Sequence, residues 1–348
     1  TALRGSLAAI GWCSRQGNPL MSAASSMPSS SFPTPPVIHA KQANMIVEKA
    51  RKSKVTMKIW SIPEDDLRRI CIEDSSFDPA AKDRSQHGWL IGYTTPDMAV
   101  GIESPISLVD WKSKKLRRKA NSSLLCEAQS ANISMAKWLL IANLEMSFRY
   151  AHFRIGKWAL APKVEEETSV LTRQAVMRKD PRGMIVMDAK SLYDALNSEQ
   201  QNQDESRSAL EAYMVKEDME RMMAIPRWIP HDKNPADALT KVHNAHSQPL
   251  EDMLRSHMLT IVHEDIVMDQ RTKEREEKGY NPRRHATGVS TSDCKGKKKK
   301  TYLSVTDQSV VEDPVAVDPL LTVRYPATVA AKPTRKARRE SYRRYNNE

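Results

Sequence analysis

Apolar residues recur along this chain with two periods, and the switches between them mark out its elements. A return every third or fourth position predicts a helix; alternation, or a short unbroken run between turn residues, predicts a strand. The helical period covers 3–12, 37–52, 122–144, 190–196 and 205–222. In 37–52 the face is Ala43, Ile46, Val47 and Ala50, with lysines opposite; in 122–144 it is Leu124, Ala128, Ala131, Met135, Trp138 and Leu139. Ser122 or Ser123 is placed to cap that long helix. Alternation predicts strands at 54–60, 67–74, 88–95 and 106–111, the last three suiting an antiparallel meander. The unbroken Met184-Ile-Val-Met187 reads as a strand buried on both faces, and 224–229 as another. A final helix opens with Asn234 as cap, Pro235 at its first position and Asp237 at its third. Strands followed by alternating helices and strands imply an α/β class with a mixed sheet.

Composition changes the picture at the ends. Hydrophobic residues make up 40% of 348, a little under the globular norm, which favours one domain with long tails. Residues 22–36, rich in Ser and Pro, cannot bury enough apolar surface to fold alone. Beyond 270 the chain carries a lysine run at 295–300 and an arginine-rich stretch at 335–344, so a mostly disordered basic tail is expected. The lysine run suits a nuclear-localisation or nucleic-acid patch, with a plain charged tail as the equal alternative. A net charge of +11 favours polyanionic partners. Cys13, Cys71, Cys126 and Cys294 lie far apart with no Cys-x-x-Cys pair, which indicates neither a disulfide framework nor a zinc site and points to a reducing compartment. No apolar run approaches the roughly 18 residues a membrane span needs, so no membrane partner is expected. The apolar stretch 7–12 is too short, and too soon followed by Arg15, for a secretory signal. The first residue, Thr1, fits a piece of a longer polypeptide. No Gly-rich phosphate loop or Ser/His/Asp arrangement is present, and no small-molecule cofactor is expected.

Four acids fall in matching settings. Asp188 ends the unbroken run, at the carboxyl end of a strand, where open α/β sheets place their ligands. Asp74 shares a strand face with Ile70 and Ile72 by the two-residue period, with Glu73 and Asp78 as rivals. Glu127 lies one turn inside the long helix, beside Cys126, and Asp237 stands in the first turn of the last helix. Each has a local alternative: a helix cap for Asp188, a dipole-favoured first-turn acid for Glu127, and a capping-box member for Asp237.

The segments around these acids carry a resemblance. Ile72-Glu-Asp-Ser-Ser-Phe77, Trp111-Lys-Ser-Lys-Lys115, Ser122-Ser-Leu-Leu-Cys-Glu-Ala128, Met187-Asp-Ala-Lys-Ser-Leu-Tyr-Asp-Ala-Leu196 and Asn234-Pro-Ala-Asp-Ala-Leu-Thr-Lys241 occur in that order. They resemble the ribonuclease H domain of copia-type LTR retrotransposon Pol polyproteins; residues 3–60 look like the end of the polymerase and its connection. The resemblance implies a ribonuclease H-like mixed five-stranded sheet with flanking helices. It divides the chain into a polymerase remnant (1–20), a linker (21–36), a connection helix and strand (37–66), the nuclease domain (67–245), a helical extension (246–269) and the basic tail (270–348).

The same resemblance makes Asp74, Glu127, Asp188 and Asp237 the catalytic, metal-binding carboxylates. Hydrolysis of a phosphodiester with two Mg²⁺ (Mn²⁺ as a substitute) needs hard oxygen ligands that bridge and flank the ions. The implied activity is endonucleolytic cleavage of the RNA strand of RNA/DNA hybrids during reverse transcription, with the hybrid and the reverse transcriptase portion of the polyprotein as partners. Polymerisation is not expected, because no Tyr-x-Asp-Asp motif is present. The implied compartment is the cytoplasm, in a retrotransposon particle, or the nucleus. His231, shortly before Asp237, is a candidate proton carrier, against a plain loop histidine. Lys112, Lys114, Lys115, Arg117, Arg118, Lys119 and Ser191 are candidates for contact with the nucleic acid, read through backbone and groove shape rather than sequence. The rival reading is a decayed fragment that binds nucleic acid without cutting it.

Overall fold

A computed structural model describes residues 2–32, 37–52, 55–77, 85–149, 181–198, 205–241 and 244–277. Thr1–Arg271 forms one compact unit, and the contacts below lie within it. Three helices come first, α1 (Ala2–Gln16), α2 (Ser22–Ser29) and α3 (Val37–Lys52). Then follow β1 (Arg68–Ser76), β2 (Gln86–Thr94), the two-residue β3 (Ser104–Pro105), β4 (Ser107–Lys115) and α4 (Ser123–Arg149). The chain continues with β5 (Gly183–Met187), α5 (Lys190–Asn197), α6 (Ser206–Arg221), β6 (Ala224–Trp228), α7 (Asn244–Ser256), β7 (Met258–Leu259) and α8 (Glu264–Glu277).

Five strands form one sheet in the order β4-β2-β1-β5-β6. β1, β2 and β4 pair antiparallel; β5 runs parallel to β1 and β6 parallel to β5. This is the ribonuclease H-like α/β sheet with flanking helices that the sequence implied. It brings the carboxyl ends of β1 and β5 side by side, with Ile72 opposite Val186.

The two-residue period sorts the sheet onto two cores. On one face Cys71, Trp89, Ile91, Ile185 and Met187 pack beneath α4, α5 and α6. On the other, Ile70, Ile72, Leu90, Met184 and Val186 meet the 235–239 turn and α7. The expected stripe of α4 is buried through Ala128, Ala131, Met135 and Trp138, with Leu124 and Leu139 at its margins. Its cap is Ser122, whose hydroxyl accepts the Leu125 N–H at 3.1 Å. Trp138 is 1% exposed, and truncating such a side chain to alanine costs about 3–5 kcal/mol.

Three expectations need correction. Residues 55–63 form no strand. The edge β4 is not extended by them; the segment is tied by side chains instead, Trp60 N–H to Ser107 Oγ at 2.9 Å and Trp60 Nε1 to the His257 carbonyl at 3.2 Å. Second, the Ser/Pro-rich stretch read as a linker is helical at Ser22–Ser29. It leans on its neighbours: Gln86 donates to Ser26 Oγ at 3.1 Å, and Trp111 donates to the Ser14 carbonyl at 2.6 Å beside it. Leu7, Ile10, Met21 and Ala43 give the first three helices a small core of their own. Third, Asn234 does cap, accepting the Ala236 N–H at 3.0 Å, but the turn it opens is a short 3₁₀ segment, Pro235–Leu239, and the α-helix starts again only at Asn244.

After the 235–239 turn, α7 and α8 are separated by β7, which pairs with β3. Leu250, Met253 and Leu254 of α7 are core residues of the sheet's second face. α8 is anchored by Glu264, which takes the buried Arg227 guanidinium at 2.6 Å and the Trp228 N–H at 2.9 Å. Asp78, residues 150–180 and the basic tail from 278 lie outside the described residues. Among the described residues no helix is long and apolar enough to cross a membrane.

Candidate metal centre

Asp74 sits near the end of β1, on the face of Ile70 and Ile72, and is 2% exposed. Asp188 immediately follows β5, and Glu127 projects from the first turns of α4. One carboxylate oxygen from each of the three lies within 4.8 Å of the others. Three distant segments thus deliver their acids to one pocket because parallel pairing aligns β1 with β5 and α4 crosses above them.

Like charges in a buried pocket disfavour ionisation. Burial, then the charges of Asp188 and Asp237, push the Asp74 carboxyl well above the usual carboxylate range, against Lys241 and a Thr240 hydroxyl bond that pull it down. Glu127 is raised the same way by burial, then Glu73, Asp74 and Asp188. Its Oε2 is buried without a hydrogen-bond partner. An all-carboxylate set with an orphaned, buried oxygen fits a hard divalent cation.

Asp237 completes the neighbourhood from the other side. It is 2% exposed, in the 3₁₀ turn. Its Oδ1 takes the Lys241 ammonium at 2.5 Å, and that ammonium also reaches Asp74 Oδ2 at 3.9 Å. Its Oδ2 faces His246 Nδ1 at 2.9 Å and His231 Nε2 at 3.3 Å. His231 turns its Nδ1 to Asp188 Oδ2 at 2.7 Å, so one imidazole links two of the four acids. The turn fits here because Gly88, the partner of Asp74 across the β1–β2 ladder, has no side chain; a Cβ there would come within 2.4 Å of Leu239 Cβ.

Glu73, the rival for Asp74, is fully buried on the opposite face of β1, its carboxyl pushed well up, above all by burial. His246, Lys241 and Thr240 went unassigned from sequence. Thr240 and Lys241 belong to the 234–241 motif; nothing local to His246 marks it, because α7 brings it in from outside.

The basic candidates divide. Lys112 and Lys114 lie on the strand face of Asp110, which Lys137 of α4 approaches at 3.8 Å. Burial, then the nearby Lys114 and Arg15, pull the Lys112 ammonium down. Buried His87 in the adjoining strand is pushed down to about 4, by burial first and then by Lys114 and Lys112. Lys115 faces the other way and lines, with Ser76, Gln86 and Lys241, a cleft of about 1080 Å³ closed by α2 and α3. Arg117 and Lys119 are exposed in the turn before α4. Arg118, also exposed there, is tied to Glu211 of α6. Ser191 is exposed on α5, three residues past Asp188.

No protein-family model and no curated protein matches the chain. Among solved structures it is similar to the N-terminal RNase H domain of rv2228c from Mycobacterium tuberculosis, solved as a fusion with maltose-binding protein, at 12% identity and a TM-score of 0.28, covering 53% of this chain and 99% of that one. It is also similar to the foamy viral protease-reverse transcriptase in complex with RNA/DNA hybrid, at 10% identity and a TM-score of 0.27 over 63% of this chain. The chain spans about a quarter of that viral protein's length, 27%. At those TM-scores the likeness assigns nothing, and the fold stands on the strand order and register.

Proposed function

We propose that this chain is a Mg²⁺-dependent endonuclease that cuts the RNA strand of RNA/DNA hybrids by two-metal-ion phosphodiester hydrolysis, as the nuclease part of a copia-type retrotransposon polyprotein. The observation that carries the reading is the meeting of Asp74, Glu127 and Asp188 within 4.8 Å at the carboxyl end of the central strands. Those three would hold one ion, and Asp237 with Asp74 would flank the second. Magnesium, when bound, supplies Lewis-acid activation of water and charge neutralisation at the leaving 3′ oxygen.

The chain's own residues do the rest. Asp188 stands just past the carboxyl end of β5, where open α/β sheets place their ligands, while Asp74 and Asp237 form the buried inner side of the pocket. His231, 55% exposed on its side chain and 2.7 Å from Asp188, is placed to pass a proton between the reacting oxygens and solvent. Lys112, Lys114 and Lys119 offer the phosphate backbone a cationic bank, with Arg117, Lys115 and Ser191 around it. Contacts of that kind position a duplex without reading its sequence.

The test is cleavage of a labelled RNA/DNA hybrid in Mg²⁺ by the full chain and by Asp188→Asn. We expect specific RNA-strand cuts by the wild type and a loss of at least ~100-fold in rate in the variant, the scale on which removing one electrostatic contributor acts. Binding without cutting by either protein would favour the rival reading of a noncatalytic fragment.

A further inference from the structure

We propose that His231, Asp237 and His246 form a second cation site, separate from the Asp74–Glu127–Asp188 group and suited to a borderline first-row ion such as Zn²⁺. The two imidazoles converge on one oxygen: His246 Nδ1 lies 2.9 Å and His231 Nε2 3.3 Å from Asp237 Oδ2. One ligand atom from each residue lies within 4.8 Å of the others. Two nitrogens and one carboxylate suit Zn²⁺, Co²⁺ or Ni²⁺, whereas Mg²⁺ prefers an all-oxygen shell. Three protein ligands also leave a fourth tetrahedral position open to water or a phosphate oxygen.

A second, independent feature points the same way. Metal-binding imidazoles almost always hydrogen-bond through their other ring nitrogen to a carboxylate, a backbone carbonyl or water, which fixes tautomer and orientation. His231 has that arrangement, with Nδ1 2.7 Å from Asp188 Oδ2 and Nε2 turned toward Asp237. The Asp237 carboxylate is steadied on its far oxygen by Lys241. His246 is held in place because the same helix sends Leu250, Met253 and Leu254 into the core. Entry is open through His231, whose side chain is half exposed.

An ion there would fasten α7 to the catalytic turn, fix the orientation of Asp237 and occupy His231 Nε2, so that proton transfer by His231 belongs to the site without that ion. The site shares Asp237 with the proposed magnesium centre but stands whether or not the chain cuts hybrids, because its test reads metal binding. In calorimetric titration of the full chain with ZnCl₂ alone, we expect His246→Ala and His231→Ala each to weaken Zn²⁺ binding by ~10-fold or more, the range for losing a metal-site contact. Glu127→Gln should leave Zn²⁺ binding unchanged and weaken Mg²⁺ binding instead. Co²⁺ in place of Zn²⁺ should give visible ligand-field absorption in the wild type that fades in both histidine variants. Far-UV circular dichroism checks that each variant is folded; should one fail, the other decides. Equal Zn²⁺ affinity in wild type and in a folded histidine variant would overturn the proposal. So would loss of Zn²⁺ binding in Glu127→Gln alone.

Discussion

Asp74 is stabilised as the neutral acid, and that has a sign. A carboxyl whose folded pKa is raised binds its proton more tightly in the folded chain. Its contribution to stability is therefore fully present below the ordinary carboxylate value and is lost as pH rises through the raised one. Asparagine at that position cannot ionise and can still accept from Thr240. Without divalent ions, Asp74→Asn should match wild-type Tm near pH ~4 and exceed it increasingly toward pH ~8, since unfolded Asp titrates near ~3.9. Added Mg²⁺ should narrow the gap by stabilising the wild type alone. Thermal melts across that range, with and without Mg²⁺, check it; a gap that shrinks as pH rises without metal would contradict it. The meeting of Asp74, Glu127 and Asp188 was legible because each sits in a short, ordered motif at a strand end or helix start, as does Asp237 beside them. His246 was not, since its role depends on where α7 docks, and no local pattern encodes that. Nor was Glu73's burial, because alternation says which face a residue takes and not how deep that face lies.

At the scale of elements, the site depends on how closely the Pro235–Leu239 turn can approach β2. Gly88 permits this: an added Cβ would stand 2.4 Å from Leu239 Cβ and 3.2 Å from the Lys112 carbonyl. One of these neighbours is backbone, and Leu239 is fixed in the core, so the turn must move. Gly88→Ala should cost about 1–3 kcal/mol in urea unfolding, the usual penalty of overpacking. It should also weaken Mg²⁺ binding, because Leu239 lies two residues from Asp237. Unchanged unfolding and unchanged binding would mean that the close approach has no energetic weight. The same scale shows why the alternation at 54–60 does not make a strand. Val55 and Met57 do pack on the core, so the alternation was real, but a strand needs a ladder partner and β4 is not one. Conversely, α2 forms from Ser/Pro-rich sequence because the buried surface it needs comes from α1 and the sheet.

For the whole molecule, charge is the organising quantity. The chain carries a net +11 over all its residues, yet its pocket gathers acids; under the proposed function the cations outside the pocket would hold the polyanion whose phosphates the acids meet through metal. Each Lys that contacts a phosphate contributes roughly one unit to the slope of log affinity against log salt. In an Asp188→Asn background, which removes cutting, replacing Lys112, Lys114 and Lys119 by Ala should flatten that slope for a hybrid duplex by about three. Fluorescence anisotropy across a salt series measures it. A uniform slope in all proteins would locate the binding elsewhere, for instance in the tail.

The Lys241 ammonium, between Asp237 and Asp74, behaves as a tethered counter-ion. It cannot diffuse away, so with no divalent cation bound the inner wall of the pocket keeps a positive neighbour and has less reason to spring apart. Loading the proposed ion between those two acids would then be an exchange, in which an arm of the protein swings out as the newcomer enters.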